Sequence, residues 1–126
     1  MFLRRILIVA VIALTALACA YAADIAGKWT AQFDTQVGLQ KYTYEFKVDG
    51  TTLTGKALGN IAGAASESAI QDGKINGDEI SFVETQKYQG QDVRIVYKGK
   101  VTGDEIKFTR TIADQINEEF VAKRAR

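Results

Sequence analysis

From residue 41 to 48 apolar and polar positions alternate without a break. Tyr42, Tyr44, Phe46 and Val48 share one face of an extended strand, and Lys41, Thr43, Glu45 and Lys47 share the other. The pattern returns where Val93, Ile95, Tyr97, Gly99 and Val101 oppose Asp92, Arg94, Val96, Lys98 and Lys100. One apolar face and one wet face is the signature of an antiparallel sheet over a single core. The alternation predicts strands near 27–34, 40–48, 51–58, 67–75, 78–88, 91–101, 104–112 and 118–124. The chain contains no Pro to break or edge a strand, and only 113–118 offers even one helical turn. The small-residue segment 59–66 predicts a mobile loop.

Between strands one phrase is spoken three times. Lys47-Val48-Asp49-Gly50 recurs as Lys74-Ile75-Asn76-Gly77 and as Lys100-Val101-Thr102-Gly103, followed three residues later by Leu53, Ile80 and Ile106 respectively. An x-Gly pair between apolar residues signals a tight hairpin, because Gly accepts the positive φ such turns demand. About eight short strands joined this way predict an all-β, eight-stranded antiparallel up-and-down barrel, closed so that no long edge is left exposed.

The first 22 residues read differently. Arg4 and Arg5 precede an apolar stretch from Ile6 to Ala18, and Ala20-Tyr21-Ala22 supplies a small-x-small cleavage pattern. The stretch falls short of the roughly 20 residues needed to span a bilayer. It predicts a signal peptide over 1–22, cut after Ala22, and one β-barrel domain over 23–126, with a secreted or periplasmic address. An uncleaved anchor is the competing reading. Ala16-Leu17-Ala18-Cys19 also resembles a lipoprotein box, with Ala16 where Leu is usual, so lipidation of Cys19 is a second alternative.

Charge and composition then exclude function classes. Of 16 Lys and Arg, two lie in the leader, leaving 14 against 15 acidic residues, without the basic excess of a nucleic-acid binder. The chain has no His, and its single Cys is Cys19. That removes a Ser-His-Asp triad, a thiol nucleophile in the mature domain, a His or Cys zinc site and a stabilising disulfide. Gly55, Gly59 and Gly63 lack the Lys-Ser/Thr of a phosphate loop. Asp78-Glu79 and Asp104-Glu105 each flank a turn with two carboxylates, too few for an oxygen cage, so no metal site and no cofactor are expected.

Gly27-Lys28-Trp29, opening the first strand, resembles the Gly-x-Trp start of lipocalin-type (calycin) barrels. That resemblance implies a basic residue from the last strand packed across the Trp. Arg124, in register with Phe120 and Ala122, matches that position. Gly27, Trp29 and Arg124 are thus expected to close one end structurally. Residues 27–57, 73–84, 97–110 and 118–124 together resemble small secreted bacterial β-domains, found alone or appended to hydrolases and glycan-degrading enzymes. The likeness implies a fold and an exported address, and carries no catalytic residue.

Two polar residues stand out on the inner face. With turns centred at Gln89-Gly90 and Thr102-Gly103, the expected cross-strand rows are Ile80/Gly99/Ile106, Phe82/Tyr97/Phe108 and Glu84/Ile95/Arg110. An inward carboxyl and an inward guanidinium are costly unless they meet each other or water. They read either as a structural salt bridge or as a polar anchor for a ligand. Tyr42 and Tyr44, placed beside Ala57 and Gly55, and Tyr97 are candidate ligand contacts as well as core residues. The expected function is a non-catalytic barrel holding a small ligand or an extracellular partner. The alternative is an accessory module for extracellular polysaccharide or hydrolase function without a pocket. An enzyme built on Glu84, Arg110 and a Tyr hydroxyl comes third, and the oligomeric state is left open.

Overall fold

A computed structural model describes residues 25–125. The predicted leader and Cys19 lie outside the described residues. Nine strands run in order: β1 (Gly27–Thr35), β2 (Gly38–Asp49), β3 (Thr52–Ile61), β4 (Ala64–Ala69), β5 (Gln71–Asn76), β6 (Glu79–Tyr88), β7 (Gln91–Thr102), β8 (Glu105–Ile112) and β9 (Ile116–Arg124). Neighbours pair antiparallel, β4 and β5 both lie along β3, and β9 returns to β1 through Trp29/Arg124 and Thr30/Lys123. The result is a closed eight-stranded up-and-down barrel with one extra strand, an architecture consistent with a lipocalin-like fold.

The extra strand arises from a bulge. The stretch 67–75, expected as one strand, is β4 and β5 end to end along β3. Lys56 pairs with Ala69 and Leu53 with Gly73, so Ile70, Gln71 and Asp72 face only Thr54 and Gly55. The extra residue takes up a positive φ at Asp72 and reverses side-chain parity, so that Ser68 and Ile70 and then Ile75 are buried. Opposite it, Gly55 has φ +133, and a Cβ there would stand 1.8 Å from the Glu45 carbonyl oxygen. This corner is closed to any larger residue.

One loop expectation fails. Segment 59–66 is a hairpin: β3 continues to Ile61, Ala62 and Gly63 turn with φ 51 and 91, and β4 restarts at Ala64. Its Gly, Ala and Ser side chains hide the apolar alternation while the backbone pairs normally. Residues 113–118 stay within the limit of one helical turn: Ala113 and Asp114 turn with φ 51 and 56, and β9 begins at Ile116.

The repeated hairpins turn one residue later than expected. Asp49 pairs with Thr52, Asn76 with Glu79 and Thr102 with Glu105. The central pairs are therefore Gly50-Thr51, Gly77-Asp78 and Gly103-Asp104, with positive φ only at the glycine, the type II′ arrangement. Register shifts by two residues at each, which preserves parity and changes partners. Gly99 meets Phe108 and Tyr97 meets Arg110, while Tyr42 pairs with Gly59, Tyr44 with Ala57 and Phe46 with Gly55. Only the Gln89-Gly90 turn, with both φ positive, gives the expected pairs Ile80/Gly99, Phe82/Tyr97 and Glu84/Ile95.

The II′ turns, the start of β1 and the end of β9 gather at one end of the barrel. There Trp29 is wholly buried, its Nε1 donates to the Ile25 carbonyl at 3.0 Å, and the Arg124 guanidinium lies 4.4 Å from the Trp29 ring centroid. Asp104 holds Arg124 Nε at 3.1 Å, and Gly27, φ +120, lets the chain enter β1. Cation–π contact and shared burial close that end. Above it Tyr44, Phe46, Phe82, Tyr97 and Phe108 fill the middle with stacked and edge-on rings, such as Phe82 on Tyr97 at 4.4 Å.

Candidate functional site

Toward the other end the filling becomes polar. Strand β8 brings Arg110 inward opposite Tyr97 of β7, one position beyond the all-apolar Gly99/Phe108 row. Strand β6 brings Glu84 inward beside Ile95, and β2 brings Gln40, Tyr42 and Tyr44 from across the barrel. Glu84 and Arg110 are 0% and 1% exposed. The β1–β9 pairing stops at Thr30 and Lys123, and from there side chains fill the seam: Phe33 stacks on Phe120 at 4.1 Å, and the Arg110 guanidinium sits 4.7 Å over Phe33.

The expected Glu84/Ile95/Arg110 row is not formed, and Glu84 is not the ion partner of Arg110. That partner is Glu118 of β9, which accepts from Arg110 Nε at 2.7 Å and lies 2.6 Å from Nη2. Arg110 Nη2 also donates to Gln40 Oε1 at 2.7 Å, and Nη1 to the Tyr97 hydroxyl at 3.1 Å. Tyr97 in turn donates to Glu84 Oε1 at 2.7 Å while accepting from the Tyr44 hydroxyl at 3.2 Å. The other Glu84 oxygen accepts from Gln86 Nε2 at 3.0 Å and from the Tyr42 hydroxyl at 3.4 Å, and Gln86 Nε2 also donates to Tyr42. Gln40 Nε2 extends the chain to Thr35 Oγ1.

Thus Glu84 and Arg110 are joined through one hydroxyl, that of Tyr97. The two-residue register shift causes this, since it moves Arg110 from the Ile95 position to the Tyr97 position. Three donors face the Glu84 carboxyl and no acceptor does. All four nitrogen-borne bonds of Arg110 end on protein oxygens. A buried network of this kind rigidifies the core when every member is bonded and is costly when one is missing. Gln40, Gln86 and Glu118 are members that the sequence reading passed over. Each has inward parity, with Tyr42, Glu84 and Phe120 respectively, but Gln40 and Glu118 stood at predicted strand ends, where parity carries little force.

The arrangement also sets the protonation of the tyrosines. Burial, then the neighbouring Glu84, pushes Tyr42 up to about 12. Burial chiefly raises Tyr44 and Tyr97 well above the ordinary phenol range, with Glu84 adding to both. For Arg110 burial favours loss of charge, but Tyr97, Tyr42 and Glu118 outweigh it, so the guanidinium stays a cation. The tyrosines carry a pH signature. A phenol whose folded pKa is raised holds its proton after the unfolded chain has lost it, so the stability it gives is complete below about pH 10. It drains away as pH climbs toward 12. Thermal melts should hold a constant Tm from pH 8 to about 10 and then fall steeply. A flat Tm through pH 12 would contradict the buried network.

Elsewhere one acid of each candidate turn pair meets a base. Asp104 bonds Arg124, and Asp78 lies 4.0 Å from Lys100 Nζ. Among the described residues no group of three or more acidic side chains converges as a metal site, and no helix is long and apolar enough to cross a membrane. Two open grooves lie across outer strand faces. One involves Thr30, Gln32, Lys41 and Asn60, and the other Lys74, Lys98, Lys100 and Lys107.

No protein-family model, curated protein sequence or solved structure matches this chain.

Proposed function

We propose that this chain is an exported, non-catalytic β-barrel module of the calycin kind that works through its outer surface, as an accessory or docking domain. The observation that carries the reading is the condition of the interior. Arg110, Glu84, Tyr42, Tyr44 and Tyr97, the residues best suited to hold a ligand, are all 2% exposed or less and bonded to one another or to barrel neighbours. A binding site keeps polar groups convergent on a space; here they converge on side chains. The same condition leaves Glu84 no open face toward a substrate. The leader argues for export, with cleavage after Ala22 and the mature chain starting at Ala23.

A small ligand at the far end is the competing reading. It is favoured by half-buried Phe33, Val93 and Ile112, with Gln86 paired to Val93 at that mouth. Anything bound to the folded state alone raises its stability by mass action, about 2.7 kcal/mol at a hundredfold excess over Kd. The test is to unfold the exported protein in guanidinium chloride, dialyse away small molecules while denatured, and refold. A barrel filled by its own side chains returns with the same Tm. A lower Tm restored by the dialysed extract would show an interior ligand and overturn the reading.

A further inference from the structure

The outer face of β5 to β8 carries charge in a pattern that the fold itself does not favour. Two cross-strand rows run side by side, Lys74–Ser81–Lys98–Thr109 and Asn76–Glu79–Lys100–Lys107. Lys100 and Lys107 are direct partners on adjacent antiparallel strands, and Lys98 stands two residues from Lys100 on the same face. Like charges directly opposite each other weaken a sheet. The acids nearby lie around the rim. Glu79 sits beside Lys100, Asp78 reaches Lys100 Nζ only at 4.0 Å between exposed side chains, Glu105 stands two residues from Lys107 on the same face at the turn end, and Glu119 borders the patch beyond Thr109. Four lysines are thus gathered on one face of a mature chain with 14 basic and 15 acidic residues. Hydroxyls and an amide from Ser81, Thr109 and Asn76 stand between and beside them.

We infer that this face is a docking site for an acidic polysaccharide, a linear polymer bearing carboxylate or sulfate groups. The inference rests on the outer-surface reading above and names its partner. Charge complementarity selects an anion, and the interspersed hydroxyl and amide groups suit the sugar hydroxyls between its charges. The patch lacks what other polyanions require. Binding in a bilayer interface buries a set of apolar and aromatic side chains. Among the described residues Val121, paired with Lys107 at the border, is the one large exposed apolar residue here, while Val37, Leu39, Tyr88 and Ile116 lie in or beside the hairpins of the far end. Single-stranded nucleic acid stacks its bases on aromatic rings, and none stands on this face.

The experiment measures binding of the mature protein, residues 23–126, to fluorescent polygalacturonate, to dextran sulfate, to neutral dextran and to vesicles with 30% anionic phospholipid. Binding to one or both acidic polysaccharides, none to dextran, and weakening at high salt are expected, since contacts between exposed charges are screened. The variant Lys98→Gln/Lys100→Gln/Lys107→Gln should lose at least tenfold in affinity while its Tm stays level or rises, because a like-charge pair has been removed. Lys41→Gln/Lys123→Gln, on the other outer groove, should stay within about twofold of the parent.

Equal losses in both variants would mean diffuse attraction and overturn the site. Binding to vesicles alone would overturn the polysaccharide, as would binding to none of the probes. In those cases an unchanged Tm after refolding would leave the outer-surface reading intact; a Tm that falls until extract is returned would remove that reading itself.

Discussion

Replacing Arg110 by Met removes about 3–5 kcal/mol of stability, the range seen when one partner of a buried ion pair is deleted. Arg110 is 1% exposed and Glu118 15%, so water does little to replace the lost guanidinium. The substitution leaves Glu118 without its cation and takes a donor from Gln40 Oε1 and another from the Tyr97 hydroxyl. It also empties the slot over Phe33. A domain of this size loses roughly 4–8 °C of Tm per kcal/mol, so a fall of about 12–40 °C is expected. Glu118→Gln should lower Tm less, because an amide oxygen still accepts from Arg110. Melts of both variants check the order, and an Arg110→Met protein within about 5 °C of the parent would show that the network does not hold the barrel together.

A single methyl group at Gly55 should be nearly as damaging. The residue has φ +133, a conformation that L side chains rarely adopt, and the added Cβ would sit 1.8 Å from the Glu45 carbonyl oxygen. Backbone strain of about 1–3 kcal/mol is compounded by a clash with main chain, which cannot rotate away. Gly55→Ala should therefore lose about 3 kcal/mol or more, by moving β2 off β3 beside the bulge. Gly50→Ala separates the two causes. Gly50 has φ +61 with nothing within 4 Å of a built Cβ, so it carries conformational strain alone, about 1–2 kcal/mol. Equal denaturant midpoints for the two variants would contradict the described corner.

Much of this structure can be read from side-chain parity. The alternation at 41–48 and 92–101 assigns inner and outer faces correctly, so Tyr42, Tyr44, Glu84, Tyr97 and Arg110 all lie inside. What parity cannot supply is which residues meet. Asn-Gly or Asp-Gly can fill the central pair of a I′ turn, and the same glycine with the next residue can fill a II′ turn. The choice moves register by two without turning any side chain over. That is why Arg110 was expected beside Ile95 and stands beside Tyr97. Parity also fails where side chains are small, as at Gly59 to Ser66, and where a bulge reverses it, as at Ile70 to Asp72. Glu118 was legible only in retrospect, since its strand had to begin at Ile116 before its direction meant anything.

We propose that the barrel, filled by its own side chains, makes its contacts outside. The most direct test is the mass of the protein exported by a bacterial host, measured native and then denatured. The two masses should agree, and both should equal residues 23–126 with no added group. Extra mass in the native spectrum that vanishes on denaturation would mean a small molecule inside and would contradict that proposal.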